Sequence, residues 1–194
     1  MMLNFVSKVL MSRNKFAHNR APIAGGALYY FSGQLSRMEN CVFENHLGGT
    51  LNFQQVENIT IINATFQKNK GNEIAGTLEI QGTRLFCLLL TTFGHNRVQN
   101  HGGAISISKI AHAKIGHCRF FSNFAILEGG AIFVENAGYL SMTHTSFLHD
   151  SSASSGAALC AMNCDKIEAI NCLFKGSRAQ LGGHIYIYGP NSIA

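Results

Sequence analysis

The chain has 194 residues and a formal net charge of +5, a length that suits one domain or two. Apolar residues make up 46% of it and charged residues only 13%, which excludes intrinsic disorder. Lys and Arg occur singly or as loose pairs such as Lys68 and Lys70. The charge is therefore spread thinly, and no basic run predicts nucleic-acid binding.

Neither a membrane span nor a leader is visible in the sequence. Residues 1–10 lack the long apolar stretch and the small-residue cleavage site of a signal peptide. The longest apolar run covers residues 85–90, far too few to cross a bilayer as a helix. We therefore expect no membrane insertion by this chain.

Two short motifs recur in a fixed order along the chain. One is a pair of small residues, usually Gly-Gly, followed by Ala or Thr and an aliphatic residue; the other is Phe-x-x-Asn. The phenylalanines are Phe16, Phe43, Phe66, Phe93, Phe120, Phe147 and Phe174. They are evenly spaced except for one shorter step, between Phe43 and Phe66. Seven copies of a unit of about 27 residues therefore account for nearly the whole sequence.

Within each unit, apolar and polar residues alternate. In one unit Ile105 and Ile107 flank a polar residue, Ala113 and Ile115 do the same further on, and a third run ends on Phe120. This period of two predicts strands with one buried face, whereas a helix would lose about 2 kcal/mol at each Gly-Gly. Three short strands per unit, stacked coil on coil, predict an all-β fold: a right-handed parallel β-helix of about seven coils. Residues 1–194 form a single domain in this interpretation, with a rod length of about 34 Å.

The length of the unit varies in one segment only, between the Phe and the glycines. This segment is four residues shorter after Phe43 and one shorter after Phe174. Changes of length are typical of surface loops, so we expect the segment to be a solvent turn.

The second residue of the small pair is Gly in six of the seven units: Gly26, Gly49, Gly76, Gly103, Gly130 and Gly183. We expect this column to face inward at a corner, for one of two reasons. A side chain would collide with the apolar filling of the coil, or the backbone needs a positive φ. Ala157 occupies the column in the remaining unit, which favours crowding.

The Phe column predicts a stack of rings along the axis of the coil. Three residues after the Phe, most units carry an amide: Asn19, Asn69, Asn96 and Asn123. Stacked amides bond to each other and to the backbone at a bend, so we expect an Asn ladder. His46, Asp150 and Ser177 take this place in the other units.

A second polar column, three residues before the Phe, marks another corner and contains His117 and His144. These two lie one coil apart, within about 5 Å, but the sequence offers no third ligand, so we interpret them as corner residues and expect no metal or other cofactor. His18, His95 and His149 are expected to point into solvent. The six cysteines show no zinc-site spacing and are interpreted as small buried side chains.

Gly-Gly-Ala-Ile combined with Phe-x-x-Asn resembles the repeat of the chlamydial polymorphic membrane proteins. The resemblance covers residues 16–187 and is clearest at 102–105 and 129–132. It departs from the repeat at His46, Asp150 and Ser177, and at Thr50, Thr77 and His184 in the Ala position. The resemblance implies the β-helical passenger of a surface-exposed autotransporter, hence a cell-surface or extracellular location and a cell-surface or glycan ligand.

Enzymes of the pectin lyase type are the alternative, because they share the β-helix. Their sites need several carboxylates converging on one face, whereas the two Asp and eight Glu of this chain are scattered among different columns. A Thr-x-Thr column, the signature of ice binding, is missing. We therefore expect a non-enzymatic adhesin or scaffold, with no catalytic residue.

The two ends of the chain predict open coils. Met1 and Leu3 occupy the inward positions of the first coil, and Ile185 and Ile187 those of the last. Open ends expose unpaired strands. This suggests a segment of a longer β-helix, or a protein that associates end to end.

Overall fold

The computed structural model describes residues 1–72 and 76–189, and every regular element in these ranges is a strand. Six long strands of equal length dominate it: β4 (Leu28–Glu39), β6 (Leu51–Ile62), β8 (Leu78–Leu89), β11 (Ile105–Gly116), β14 (Ile132–Thr143) and β17 (Leu159–Ile170). The first coil contributes β1 (Met2–Asn4) and β2 (Lys8–Ser12), and the last contributes β19 (Ile185–Tyr188). These strands form one parallel sheet, sheet A.

Two narrower sheets form other sides of the solenoid, and the second of them has strands in three coils. Sheet B is built from short strands centred on the repeated Phe: β3 (Lys15–Ala17), β5 (Val42–Glu44), β7 (Thr65–Gln67), β9 (Thr92–Gly94), β12 (Arg119–Phe121), β15 (Ser146–Leu148) and β18 (Leu173–Lys175). Sheet C consists of β10 (Arg97–Val98), β13 (Phe124–Ala125) and β16 (Ser151–Ser152). The pairings are parallel and join one coil to the next, for example Ile105 to Ile132. The predicted all-β parallel solenoid of about seven turns is thus confirmed.

The division of the coil into strands differs from the prediction. Each of the six long strands joins the first and second strands expected in a unit, whereas in the first coil the two remain separate as β1 and β2. A residue in the left-handed region joins the two halves and bends the strand without ending it. These residues are Ser32, Gln55, Gly82, Lys109, Asn136 and Asn163, with φ between 50° and 66°.

Three further left-handed columns turn the chain at the other corners. One is the predicted polar corner, which runs from Asn40 to Asn171 through Leu90. Another follows the Phe by two residues and contains His18, Lys68 and His149. The third is the first glycine of the small-residue pair. Gly and Asn enter the left-handed region at little cost, which explains their abundance in the repeat.

The interior of the coil is apolar and close-packed. The Phe rings stack from Phe16 to Phe174 with centroids 4.5 to 5.1 Å apart, as predicted. Ile107 is fully buried and pairs with Ile80 and Val134 in adjacent coils. Met1 and Ala169 share the registers of the buried Leu28 and Met142 but are exposed near the two ends of the described solenoid.

Candidate functional site

The Asn column forms the expected ladder inside the bend between sheets B and C. The side-chain Nδ2 of Asn69 donates to Oδ1 of Asn96, that of Asn96 to Asn123, and that of Asn123 to Asp150, over 2.9 to 3.0 Å. Each acceptor oxygen also receives the backbone N–H of the preceding rung. Asn19 is on the ladder through its backbone N–H, which donates to Nδ1 of His46. The ladder is therefore structural and fully buried over most of its length.

Asp150 is the one carboxyl in the ladder. In the Asn rungs, Nδ2 also donates to a Phe carbonyl oxygen of the preceding coil, as Asn123 does to Phe93 at 3.1 Å. Asp150 has the oxygen Oδ2 in place of this amide nitrogen, and among the described residues no hydrogen bond reaches Oδ2. Burial raises the pKa of Asp150 to about 7, against the opposing effect of the Asn123 hydrogen bonds.

The glycine column is crowded by backbone, and not by apolar side chains as predicted. A Cβ added to Gly103 would lie 2.0 Å from the carbonyl oxygen of Gly130, and one added to Gly26 would lie 2.7 Å from that of Gly49. Gly130 is similarly enclosed, whereas Gly76 and Gly183 have room for a methyl group among the described residues. Within this column only Gly49 has a positive φ. In the described pairs that begin with glycine, this first glycine has a positive φ. The prediction did not identify this position.

The cysteines before the Phe column act as hydrogen-bond donors as well as filling space. The thiols of Cys41, Cys118 and Cys172 each donate to the carbonyl oxygen two residues earlier. The hydroxyls of Thr91 and Thr145 make the same bond in neighbouring coils. All six cysteines are free thiols, and burial raises the pKa of Cys118 to about 12, which makes it unreactive.

His117 and His144 stack at the corner with ring centroids 4.8 Å apart. Both are in the left-handed region, and Nε2 of His144 lies 3.3 Å from the amide of Asn171. Over residues 1–72 and 76–189, no group of three His, Cys, Asp or Glu side chains is arranged to hold a metal ion. His18, His95 and His149 are exposed, as expected.

A half-buried cluster of polar groups lies outside sheet A, where the return turn covers the first half of the long strands. His101 stacks on Phe133 at 4.4 Å, and its Nδ1 lies 3.1 Å from Oε2 of Glu128. Burial lowers the pKa of His101, although Glu128 and Glu135 oppose the shift. We call His101, Glu128, Phe133, Glu135 and the fully buried Cys160 the turn cleft. The sequence gives no sign that two of its scattered glutamates approach His101.

Glu79 is a second unusual carboxyl on the same side of sheet A. It accepts a 2.8 Å hydrogen bond from Nδ2 of Asn52 in the adjacent coil. Burial raises the pKa of Glu79 to about 7, against the opposing effect of the Asn52 hydrogen bond. Buried carboxyls with a raised pKa are typical of functional sites, although structural networks produce them too.

Most of the remaining carboxylates are in one-to-one contacts with cations. Glu44 contacts Lys15, Glu39 contacts Arg37, Glu57 contacts Arg84, and Glu168 contacts Lys166. The cation of each pair is exposed and the four glutamates lie in different columns, so the pairs do not converge on a common point.

The segment between Phe and glycines is only partly the predicted solvent turn. Its first residues form sheet C, where Val98 and Ala125 are buried and Arg97 is exposed. The turn proper begins after them. Glu73, in the corresponding turn of an earlier unit, lies outside the described residues.

Comparison of the chain with models of known protein families, with curated proteins and with solved structures gives no match. Among the described residues, no helix has the length and hydropathy required to span a membrane. The functional interpretation therefore depends on the geometry of the chain and on the resemblance of its repeat.

Proposed function

We propose that this chain is a non-enzymatic, surface-displayed β-helix that acts as an adhesin or scaffold. One observation carries the proposal: the conspicuous motif residues are committed to holding the coil together. The Phe rings stack, the amides form the ladder, and the crowded glycines allow neighbouring coils to approach. The outward strand faces and the turns are left for recognition, as in a solenoid that presents an extended binding surface.

The resemblance of Gly-Gly-Ala-Ile and Phe-x-x-Asn to polymorphic membrane protein repeats supports the same proposal. It suggests a passenger displayed on a cell surface, with a cell-surface or glycan ligand. The exposed apolar residues Met2 and Ile187, near the two ends of the described solenoid, support end-to-end association as part of this proposal.

Binding and turnover distinguish an adhesin from an enzyme. Purified chain would be labelled and applied to a glycan array and to intact cells, and its hydrolytic or lyase activity would be screened on neutral and acidic polysaccharides. We expect saturable binding without turnover. A folded chain, with a β-rich circular dichroism spectrum, that binds neither cells nor glycans would refute the proposal.

A second candidate function is a polysaccharide-acting enzyme, and the turn cleft is the observation that favours it. Two glutamates and a half-buried histidine are the group types that general acid and base catalysis uses. If the cleft is catalytic, Glu128→Gln and Glu135→Gln should each abolish any turnover found in the screen. Glu57→Gln, at an exposed ion pair on sheet A, is the matched control and should retain it.

A further inference from the structure

The fold gathers on one side of the solenoid basic residues that are isolated in the sequence. Four outward columns make up this side: the first and third residues of the sheet B strands, the left-handed residue that follows, and the first residue of the sheet C segment. We call this surface the basic face. It contains eight of the 15 Lys and Arg: Lys15, Arg20, Lys68, Lys70, Arg97, Arg119, Lys175 and Arg178. All eight are exposed.

The basic face carries almost no negative charge. Glu44 is its only acidic residue among the described positions, and it contacts Lys15 at 2.7 Å. The hydrogen bond from Lys15 lowers the pKa of Glu44, and the nearby His18 and Lys68 act in the same direction. By contrast, the cations of sheet A are offset by carboxylates, as at Arg84 and Glu57. The net charge of the chain is therefore concentrated on one face, which corrects the expectation that it is spread thinly.

The charges on this face are arranged in register along the axis. Arg20, Leu47, Lys70, Arg97, Phe124, Ser151 and Arg178 pair successively across the coils. Neighbouring rungs of a parallel sheet are about 4.8 Å apart, so Lys70 and Arg97 are adjacent cations. Lys68 and Lys70 are on the same coil and extend the positive strip sideways.

Two arginines on the face are held in place by aromatic rings. The guanidinium carbon of Arg97 lies 4.2 Å from the centroid of Phe124, and that of Arg119 lies 5.1 Å from that of Phe121. The Phe121 ring in turn lies over Gly94, where an added Cβ would be 2.2 Å from it. Stacking on a ring limits the freedom of an arginine, so less side-chain entropy is lost when it binds an anion.

We propose that the basic face binds a linear acidic polysaccharide through its sulfate or carboxylate groups. This inference rests on the proposed function and names the class of its ligand. Several cations spread along an open sheet match a polymer with repeated anionic groups, whereas a small anion would need an enclosed cradle. Single-stranded nucleic acid uses open aromatic faces for base stacking, but here the Phe121 and Phe124 rings are occupied by guanidinium groups.

The chain offers a closely matched pair of double variants for the test. Lys68→Glu with Lys70→Glu alters the basic face, and Lys109→Glu with Lys114→Glu alters sheet A. Each pair consists of two exposed lysines on one coil, and Lys68 and Lys109 share a left-handed φ of 54°. The two variants have the same net charge, so they differ only in the face that carries the change.

Binding of the full chain to immobilised heparin would be measured at several salt concentrations. Circular dichroism and thermal melting would confirm that both variants fold. We expect the basic-face variant to lose about tenfold or more in affinity and to show a shallower dependence on salt, because fewer counterions are released. The sheet A variant should stay within about threefold of the unaltered chain.

Equal losses in the two variants would overturn the inference, because net charge alone would then explain binding. Tighter binding to single-stranded RNA than to heparin at the same salt would also overturn it, in favour of nucleic acid. If the chain binds neutral glycans and neither variant changes that binding, the acidic ligand is refuted but the proposed function stands. A folded chain that binds no glycan and no cell would refute both.

Discussion

Replacing Asp150 with Asn should stabilise the protein, because it completes the buried amide ladder. In the variant, Oδ1 would still accept from Asn123, and the new Nδ2 would replace a buried oxygen that has no partner among the described residues. By analogy with Asn123, which donates to the Phe93 carbonyl oxygen, this amide would donate to Phe120. The variant would also carry no negative charge at this buried position, where burial disfavours the ionised carboxylate.

The size of the effect follows from the pKa. Burial raises it from 3.8 to about 7, and one pKa unit corresponds to about 1.4 kcal/mol. A carboxyl whose pKa is higher in the folded state stabilises the fold fully at pH values below its unfolded-state pKa. This stabilisation is lost as the pH rises to the folded-state pKa. The unaltered chain should therefore lose up to roughly 4 kcal/mol between pH 4 and pH 8 through this residue, and the variant should not.

Urea unfolding followed by far-UV circular dichroism at pH 4, 6 and 8 would measure the difference. We expect Asp150→Asn to be more stable by roughly 2 to 4 kcal/mol at pH 8. At pH 4 the two proteins should differ little, because the protonated carboxyl is neutral and can donate from Oδ2 as the amide does. Asp165→Asn, at an exposed position of β17, is the control with the same charge change. An identical pH dependence in the unaltered chain and the Asp150 variant would refute the reasoning.

Two further substitutions test the corners of the coil. Leu90 is exposed in the left-handed region with a φ of 51°, so Leu90→Asn should raise the free energy of unfolding by about 1 kcal/mol; a loss of stability in urea unfolding would contradict this. Gly103→Ala would place a methyl group against the Gly130 carbonyl oxygen and should cost about 2 to 4 kcal/mol. Gly183→Ala, where there is room, should change the thermal midpoint little, and equal effects of the two alanines would show that crowding is not the reason for the glycine.

The repeat determined how much of the fold could be predicted. Its constant period places identical residue types one above another, so the Phe stack and the Asn ladder follow directly. The bend within sheet A was missed because Ser32, Gln55 and Lys109 share a backbone conformation but no side-chain chemistry. The left-handed residue of the pair was missed for a related reason: two adjacent glycines look alike in sequence, although only the first is left-handed in most of the described coils.

The surfaces were harder to predict than the interior. Arg97 and Lys70 are separated in sequence by a whole unit, so no local window contains both, and only the register of the coils makes them neighbours. The turn cleft was invisible for a different reason. His101 contacts a glutamate of the next turn, and this contact depends on how each turn folds over sheet A.

The register between coils has a consequence for how such a chain could change in length. In the strand pairings of residues 1–72 and 76–189 each coil pairs with its neighbours, and the shorter unit between Phe43 and Phe66 still stacks their rings at 4.7 Å, because the missing residues come from the turn. Duplication or loss of a whole unit would therefore leave every other pairing intact. It would lengthen or shorten the row of anchoring points by about 4.8 Å, so the number of units would act as a ruler for the length of polymer that the protein can engage.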